Sequence, residues 1–298
     1  MEIKDKVNKH AYLIIAHTNF RQLQELICLL DDKRNDIYIH IDKKVKNFRY
    51  NLVTKYSSLF YSKRLNVKWG TVSQIEVEYC LFEKAVSHQR YDYYHLISGQ
   101  DLPLHNQNYI HHFFSQFNGK EFIGYGNGKW DVVQRVYCHN YFLNQMRNPF
   151  LLFRYFFKIM RLLLNYIQIN FHIHPDSDGN YFKYGCNWVS ITHDFLIDLI
   201  SNKDEILVRY KYAYCPDEIY KQTFAFHSDY KNRLYNIKDE FIGCMREIDW
   251  KRGCPYVYKT DDYQMLINSN KLFARKFDEQ KDSEIIDKIK NHIENEKQ

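Results

Sequence analysis

Two adjacent carboxylates stand out in the last third of the chain, in the stretch YAYCPDEIYKQTF at residues 212–224. Asp217 and Glu218 follow Pro216, which suits the first turn of a helix, where acidic side chains complement the helix dipole. The alternative is that one carboxylate is a general base that takes a proton from a reacting hydroxyl. The dipeptide alone leaves both interpretations open.

A second acidic pair, Asp176 and Asp178, forms the only D-x-D of the chain, within HIHPDSDG. Oxygen ligands at this spacing can hold Mg²⁺ or Mn²⁺ against a diphosphate. However, Pro175 precedes the pair and Gly179 follows it, which is typical of a turn. We favour the turn and keep the metal site as an alternative.

Basic residues near the end of the chain offer another way to stabilise a diphosphate. Arg246 and Arg252 lie in MREIDWKRG, and Arg275 and Lys276 lie in LFARKFD. Fixed cations neutralise charge that develops on a leaving diphosphate, as a metal ion does. Considered alone, such residues are more typical of ordinary surface charges.

The elements that would position these groups begin with a strand–helix–strand unit. The apolar run at 11–16 predicts a buried parallel strand, an amphipathic helix follows, and the stretch from residue 36 to Asp42 predicts a second strand. His17 and Asp42 end the two strands, at the edge where open α/β sheets bind ligands. No G-x-G-x-x-G occurs, which argues against the usual dinucleotide fold.

The rest of the pattern continues as one α/β domain over residues 1–298, without repeats or linkers. We expect a short strand ending at 69–70, a helix from about 72, strands at 93–97 and 119–126, helices within 129–170, and an amphipathic, solvated helix at 279–298.

Composition narrows the class of protein. The 45% hydrophobic and 26% charged residues are typical of a soluble globular protein, and the net charge of +6 is spread along the chain, which argues against nucleic-acid binding. Seven cysteines without C-x-x-C indicate neither a zinc site nor a disulfide framework. The 26 tyrosines and 21 phenylalanines fit stacking on sugars, or equally a compositional bias.

Eight motifs occur in one order along the chain. They are AYLIIAH (11–17), IHIDKK (39–44), WGTVSQIEVE (69–78), YYHLISGQDLPL (93–104), YGCNWVSIT (184–192), CPDE (215–218), REIDW (246–250) and LFARKFD (272–278). Together they resemble the core-2/I-branching β-1,6-N-acetylglucosaminyltransferases and their xylosyltransferase relatives. The resemblance implies a GT-A-like, Rossmann-like fold with a mixed, mainly parallel sheet flanked by helices. It also implies inversion at the anomeric carbon without a metal or other cofactor.

The resemblance also implies roles for single residues. The glutamate of the P-D-E motif, here Glu218, would be the catalytic base. Asp217 would start the helix and orient Glu218. Arg246 and Lys276 would hold the diphosphate, helped by Arg252 or Arg275.

Further positions follow from the same resemblance, each with an ordinary structural alternative. His17 and Asp42 would lie near the nucleoside, and Asp101 near the donor sugar unless it is a turn residue. Trp188 would form a sugar platform unless it belongs to the core, and Arg135 would touch the acceptor unless it lies on the surface. Asp217 would also contact the acceptor. The nucleotide-binding part would span about 10–105 and the acceptor and catalytic part about 120–278.

The sequence departs from the animal members, which carry a membrane anchor, a stem and paired cysteines. We therefore expect a bacterial, cytoplasmic member in surface-glycan synthesis. The segment 147–171 mixes large apolar residues with Arg147, Arg154, Lys158 and Arg161. It would either lie on the inner face of the plasma membrane, near a polyprenyl-diphosphate-linked acceptor, or pack in the core or an oligomer interface.

The predicted activity is transfer of a sugar, most plausibly N-acetylglucosamine, from a UDP-sugar to a glycan hydroxyl. The alternatives are a UDP-xylose or UDP-hexose donor, a metal-dependent transferase using Asp176 and Asp178, and a glycan-binding protein without turnover.

Overall fold

The computed structural model describes residues 9–126, 133–145, 148–171, 173 and 181–296, which build two sheets. Their strands are β1 His10–Ala16, β2 Asn35–Ile41, β3 Ser58–Tyr61, β4 Tyr93–Ser98, β5 Leu102–Pro103, β6 Ser190–Thr192, β7 Arg246–Ile248 and β8 Phe273–Arg275.

The central sheet has the strand order β3-β2-β1-β4-β6. β1 pairs in parallel with β2 and β4, β2 pairs in parallel with β3, and only β6 runs antiparallel, against β4. Residues on both faces of β1, β2 and β4 are almost all buried, as expected for parallel strands covered on both sides, whereas the edge strand β3 is partly exposed. The chain therefore has the predicted mixed, mainly parallel α/β architecture in a single domain, and the strands predicted at 11–16, 36–42 and 93–97 are confirmed.

Helices pack on both faces of this sheet. The α-helices are α1 Phe20–Leu30, α2 Ser73–Val86, α3 Gln107–Gln116, α4 Leu151–Asn170, α5 His193–Ser201, α6 Lys203–Arg209, α7 Tyr220–Phe226, α8 Glu240–Cys244, α9 Tyr263–Ile267 and α10 Glu284–Asn295. One long helix, α4, lies outside both hydrophobic cores of the protein. α1, α3 and α10 share one hydrophobic cluster with Tyr12 and Ile14 of β1, whereas α2 and α5 share another with Leu13. Alternate side chains of β1 therefore pack into two different cores, one on each face of the sheet.

A small second sheet, β5-β8-β7, continues from the end of β4. β8 pairs in parallel with β7 and antiparallel with β5. This sheet carries Arg246 at the start of β7 and Arg275 at the end of β8, so it brings the two basic motifs beside the central sheet.

Three local predictions were wrong in part. No strand ends at 69–70, because these residues form a turn before α2, and β3 lies earlier at Ser58–Tyr61. The C-terminal helix is shorter than 279–298 and is docked rather than solvated, since Ile285, Ile289 and Ile293 are buried. In the described residues no helix has the length and hydropathy to cross a membrane.

The segment 119–126, predicted as a strand, is not a regular strand, and two of its glycines, Gly124 and Gly126, pack closely against neighbouring groups. Glu121 and Phe122 form only isolated bridges. A Cβ on Gly185 would lie 1.9 Å from the carbonyl oxygen of Gly124, and a Cβ on Gly124 would lie 2.4 Å from the carbonyl oxygen of Glu240. These contacts require glycine, and they allow segments 122–126 and 184–188 to pack closely against each other.

A buried ion pair joins α2 to α7. The ammonium group of Lys221 lies 2.6 Å from Glu78 Oε2, and neither side chain is exposed. Lys221 also donates to Asn187 Oδ1 at 2.6 Å and to the carbonyl oxygen of Asp217 at 3.1 Å. The pair therefore holds the turn that contains Glu218 against the rest of the fold.

We predict that Lys221→Met lowers the free energy of unfolding by about 3–5 kcal/mol, because it leaves the Glu78 carboxylate buried without its cation. Urea denaturation at neutral pH measures this. The matched control is Lys203→Met, which breaks an exposed pair with Glu83, also at 2.6 Å, and should cost less than about 1 kcal/mol. Equal losses in the two variants would contradict the structural role given to the buried pair.

Candidate active site

Charged side chains gather at the carboxyl edge of the central sheet. His17 follows β1, Asp42 follows β2 and Lys276 follows β8. Partial desolvation and the neighbouring Lys276 lower the pKa of His17, and Asp42 opposes that shift. Asp42 itself accepts the backbone N–H of Lys44 at 2.8 Å. The structure therefore brings together three residues that the sequence predicts to bind the donor.

Lys276 is a half-buried cation. Burial, and then the neighbouring Arg275, lower its pKa. Within the part of the chain that the structure describes, no carboxylate lies within ion-pair distance of its ammonium group. A desolvated cation beside a second cation is electrostatically unfavourable, and a bound anion relieves both costs.

Arg275 supplies that second cation. Its guanidinium carbon lies 4.3 Å from the ring centroid of Trp188. Nη1 forms an ion pair with Asp101 Oδ1 at 3.7 Å, which is too long for a hydrogen bond, so this buried donor has a charge partner but no hydrogen-bond partner in the described structure. An anion between Arg275 and Lys276 would satisfy it. Trp188 therefore acts as a platform for Arg275, a role different from the predicted sugar platform.

Asp101 is completely buried, so the prediction that it approaches the donor sugar does not match its position. Its carboxylate accepts the backbone N–H of Ser98 at 2.9 Å and the Ser98 hydroxyl at 2.6 Å. These bonds close the turn after β4. The alternative interpretation as a turn residue is the one the geometry supports.

Arg246 also lies inside the protein, with 1% of its surface exposed. Nη1 donates to the carbonyl oxygen of Cys244, and Nη2 donates to the carbonyl oxygen of Val189 and to Ser190 Oγ. The guanidinium stacks on Phe273 at 4.5 Å. In this conformation Arg246 joins β7 to the segment before β6, and the predicted direct contact with a diphosphate is not supported.

Arg252 also forms ion pairs within the protein. Its guanidinium pairs with Asp249 at 2.5 Å and with Asp262 at 2.6 Å, and it stacks on Tyr256. Two carboxylates neutralise its charge, so the prediction that it helps to hold the diphosphate is wrong for this geometry. Of the four predicted basic residues, Arg275 and Lys276 remain suited to that role.

Glu218 lies at the other end of the site. It ends a short 3₁₀ turn, Pro216–Glu218, and its side chain is 26% exposed. Arg135 Nη1 lies 2.5 Å from Glu218 Oε2, and the guanidinium carbon lies 4.9 Å from the Tyr184 ring centroid. The base candidate is therefore reachable by a substrate, and Arg135, predicted to touch the acceptor, is its direct partner.

Asp217 occupies the buried position of the acidic pair. Its Oδ2 accepts a hydrogen bond from Gln74 Nε2 at 2.7 Å, and its Oδ1 has no partner in the described structure. Burial, and then Glu218, raise the pKa of Asp217 well above its usual value. The prediction of an acceptor contact is therefore wrong, because the side chain points toward α2. Its predicted role at the start of the turn agrees with the structure.

The segment 184–190 connects the two ends of the site. The N–H of Gly185 donates to the carbonyl oxygen of Glu218 at 2.9 Å, and three residues later Trp188 stacks on Arg275. Three residues of chain span at most about 10 Å, so the backbone atoms of these two contacts lie no further apart than that. The segment therefore links the turn of Glu218 directly to Arg275.

Glu240 is a further acidic residue of the site that the sequence interpretation missed. A Cβ on Gly126 would lie 3.1 Å from Glu240 Oε2 and 2.9 Å from the Tyr184 ring. Burial, and then the charge of Glu218, raise the pKa of Glu240 to about 7. In the sequence, Glu240 looks like any acidic residue in the first turn of a helix; only the glycine contacts reveal its place.

The predicted metal ligands Asp176 and Asp178 lie outside the described residues, as does Arg147. Among the residues that are described, no three His, Cys, Asp or Glu side chains gather as a metal site would require.

A cleft of about 610 Å³ opens between the N-terminus of α2 and the segment 140–145. Thr71, Ser73, Tyr141 and Tyr212 are among its lining residues, whereas Glu218 and Lys276 are not. Asn140 also lines the cleft, and its Nδ2 donates to the carbonyl oxygen of Arg135 at 3.0 Å. The cleft therefore adjoins the Arg135 end of the site, and it has the hydroxyl and aromatic groups that suit a glycan.

Comparison with known proteins decides the family. The sequence profile of the family described as "Core-2/I-Branching enzyme" matches residues 10–270, which is most of the chain. The chain belongs to the Core-2/I-branching enzyme family. It is therefore a glycosyltransferase, and the alternative of a sugar-binding protein without turnover is set aside.

Individual relatives of this Core-2/I-branching enzyme are distant. The human N-acetyllactosaminide beta-1,6-N-acetylglucosaminyl-transferase is 24% identical over 290 residues, which cover 90% of this chain and 68% of that protein. The xylosyltransferase sqv-6 of Caenorhabditis briggsae is 22% identical over 299 residues, covering 90% of this chain and 34% of that protein. The crystal structure of mouse xyloside xylosyltransferase 1, apo form, aligns with a TM-score of 0.37 and 10% identity, over 89% of this chain and 97% of that chain.

The raised pKa of Glu240 predicts how the stability of this Core-2/I-branching enzyme depends on pH. The folded state holds a proton on Glu240 up to about pH 7, whereas the unfolded chain loses it near pH 4.3. The folded protein binds more protons in this window, so Glu240 lowers stability as pH rises through it. Glu240→Gln should therefore gain about 3 kcal/mol relative to the original protein between pH 4 and pH 8.

Urea denaturation across that pH range measures the difference. Glu294→Gln, at an exposed position of α10, is the control and should follow the original protein throughout. A difference between Glu240→Gln and the original protein that does not change with pH would show that Glu240 is not desolvated in this way.

Proposed function

We propose that this enzyme inverts the anomeric centre and moves a sugar from a UDP-sugar to a glycan hydroxyl without a metal ion. The observation that carries the proposal is the segment 184–190, which binds the turn of Glu218 at one end and Arg275, next to Lys276, at the other. An in-line displacement needs a base and a stabilised leaving group on opposite sides of the sugar, and this segment separates two such groups.

In the proposed reaction Glu218 accepts the proton of the acceptor hydroxyl as its oxygen attacks the anomeric carbon. The bond from that carbon to the diphosphate oxygen breaks at the same time, and UDP leaves with the electron pair. Arg275 and Lys276 stabilise the charge that develops on the diphosphate. His17 and Asp42, beside Lys276, are placed for the nucleoside part of the donor.

Arg135 is proposed to act at the acceptor. It pairs with Glu218 in the present structure, so it holds the carboxylate in place before a substrate arrives. Its guanidinium donates hydrogen bonds in a fixed plane, which suits hydroxyl oxygens of a sugar. The cleft beside segment 140–145 is proposed to receive the remainder of the acceptor.

The donor sugar is proposed to be N-acetylglucosamine, because the human relative is named as an N-acetylglucosaminyl-transferase. The nematode relative is named as a xylosyltransferase, so UDP-xylose is the second candidate. The acceptor is proposed to be a lipid-linked glycan in bacterial surface-polysaccharide assembly, reached from the cytoplasmic face of the membrane.

The diphosphate assignment makes a prediction for UDP binding. Lys276→Met should weaken binding of UDP by about 10–100-fold, because it removes a hydrogen bond between charged groups. Arg252→Met is the matched control: it removes another cation that two carboxylates already neutralise, so its affinity should stay within about twofold. Isothermal titration calorimetry without added metal measures both. The reverse ranking would move the diphosphate site toward Arg252.

The catalytic assignment is tested by UDP release from a panel of UDP-sugars. Glu218→Gln should lower turnover by about 10²–10⁴-fold, because it removes the general base. Asp217→Asn, the matched control in the neighbouring buried acid, should stay within about tenfold of the original enzyme. EDTA should change nothing. Loss of turnover in EDTA and rescue by Mn²⁺ would favour the metal-dependent alternative with Asp176 and Asp178.

A further inference from the structure

The outer surface of α4 exposes many large apolar side chains. Leu152 is 86% exposed and Ile159 is 63% exposed. Side chains that share this face point outward over an arc of about 160° at 100° per residue. They are Leu152, Tyr155, Phe156, Ile159, Leu162, Leu163, Tyr166, Ile167 and Ile169. We call these residues the apolar arc; isolated exposed apolar residues are ordinary, but a continuous face marks a contact surface.

The inner face of α4 packs through polar as well as apolar groups: its buried side chains are amides, and the half-buried Phe157 lies 5.2 Å from Phe142 between ring centroids. Asn165 and Gln168 are its buried residues. Asn165 Nδ2 donates to Asn140 Oδ1 at 3.2 Å, and Gln168 Nε2 donates to the carbonyl oxygen of His139 at 3.1 Å. These side-chain bonds fix the rotation of the helix, so the apolar arc is held facing away from the protein.

The charges around the arc have one sign. Arg154 and Lys158 are exposed on one flank of α4, and residues 148–171 contain no Asp or Glu. The segment 133–145, on which α4 packs, contains none either. An apolar face with a basic border complements a surface that is apolar inside and anionic outside.

A second copy of this chain complements the surface less well. Two copies joined through their apolar arcs would bring the basic flanks of both helices together, with no acidic side chain on either helix to pair them. Like charges at such a contact disfavour it. The net charge of +6 points the same way, because it attracts anionic lipid and repels another copy.

We propose that α4 lies in the plane of an anionic membrane surface, with the apolar arc at the boundary of the acyl chains and Arg154 and Lys158 among the headgroups. The contact does not depend on the proposed reaction. Its link to the site is structural: Arg161 Nη1 donates to Asn140 Oδ1 at 2.8 Å, and Asn140 Nδ2 donates to the carbonyl oxygen of Arg135 at 3.0 Å. Docking therefore places the Arg135–Glu218 end of the site near the lipid.

Vesicle sedimentation with the full chain tests the proposal. The original protein should sediment with vesicles of phosphatidylcholine and phosphatidylglycerol in equal parts, at least about tenfold more strongly than with phosphatidylcholine alone. The double variant Leu152→Asp/Ile159→Asp should lose at least about tenfold in binding to the anionic vesicles. Val208→Asp, which changes a residue 76% exposed on α6, is the matched control and should bind like the original protein.

A second pair of variants separates charge from folding. Arg154→Glu/Lys158→Glu should weaken anionic-vesicle binding by about tenfold or more, whereas Lys33→Glu/Lys84→Glu, with the same net charge at exposed positions away from α4, should weaken it less. All variants change exposed side chains, so their melting temperatures should match. Equal losses in both charge variants, or full vesicle binding by Leu152→Asp/Ile159→Asp, would overturn the proposal.

Sedimentation velocity without lipid provides the last comparison. The original protein and Leu152→Asp/Ile159→Asp should show the same monomeric species at micromolar concentration. A dimer that only the original protein forms would assign the apolar arc to a second copy and overturn the membrane assignment. Because these measurements need no substrate, they stand or fall separately from UDP release.

Discussion

The buried pair of Lys221 and Glu78 is the constraint on which the site depends. An ammonium group without exposure needs its carboxylate, and both need further hydrogen bonds, because charges taken out of water are otherwise costly. Lys221 donates two such bonds, to Asn187 Oδ1 and to the carbonyl oxygen of Asp217, and Glu78 Oε2 accepts one from the Tyr220 hydroxyl. One cation therefore ties α2, α7, the turn of Glu218 and the segment 184–190 into a single unit.

Close packing at three glycines brings the remaining parts of the site together. The contacts of Gly124, Gly126 and Gly185 leave no room for a Cβ. Tyr184 and Glu240 therefore pack close to the turn that contains Glu218. The resulting site has the Glu218 carboxylate, paired with Arg135, at one end, and Arg275, stacked on Trp188 and next to Lys276, at the other. In the proposed transfer without a metal, these fixed charges do what a metal would do.

Local sequence patterns predicted the features that depend on interactions between residues close in sequence. Buried apolar runs marked β1, β2 and β4, and their ends placed His17 and Asp42 at one edge of the sheet. Long-range contacts decided the remainder. Nothing local to Arg246 indicates that the carbonyl oxygens of Cys244 and Val189 hold it inside, and Arg252 is neutralised in part by Asp262, ten residues further along the chain. Glu240 depends on glycines more than a hundred residues earlier, and the orientation of α4 depends on Asn140 and His139.

The most direct measurement of the central claim is a crystal structure of the enzyme with bound UDP. The account predicts that a diphosphate oxygen lies within about 3 Å of Lys276 Nζ, on the Arg275 side of Trp188, and that the terminal phosphate points toward Glu218. UDP bound at Arg252, in the cleft beside segment 140–145, or through a metal ion on Asp176 and Asp178 would contradict it.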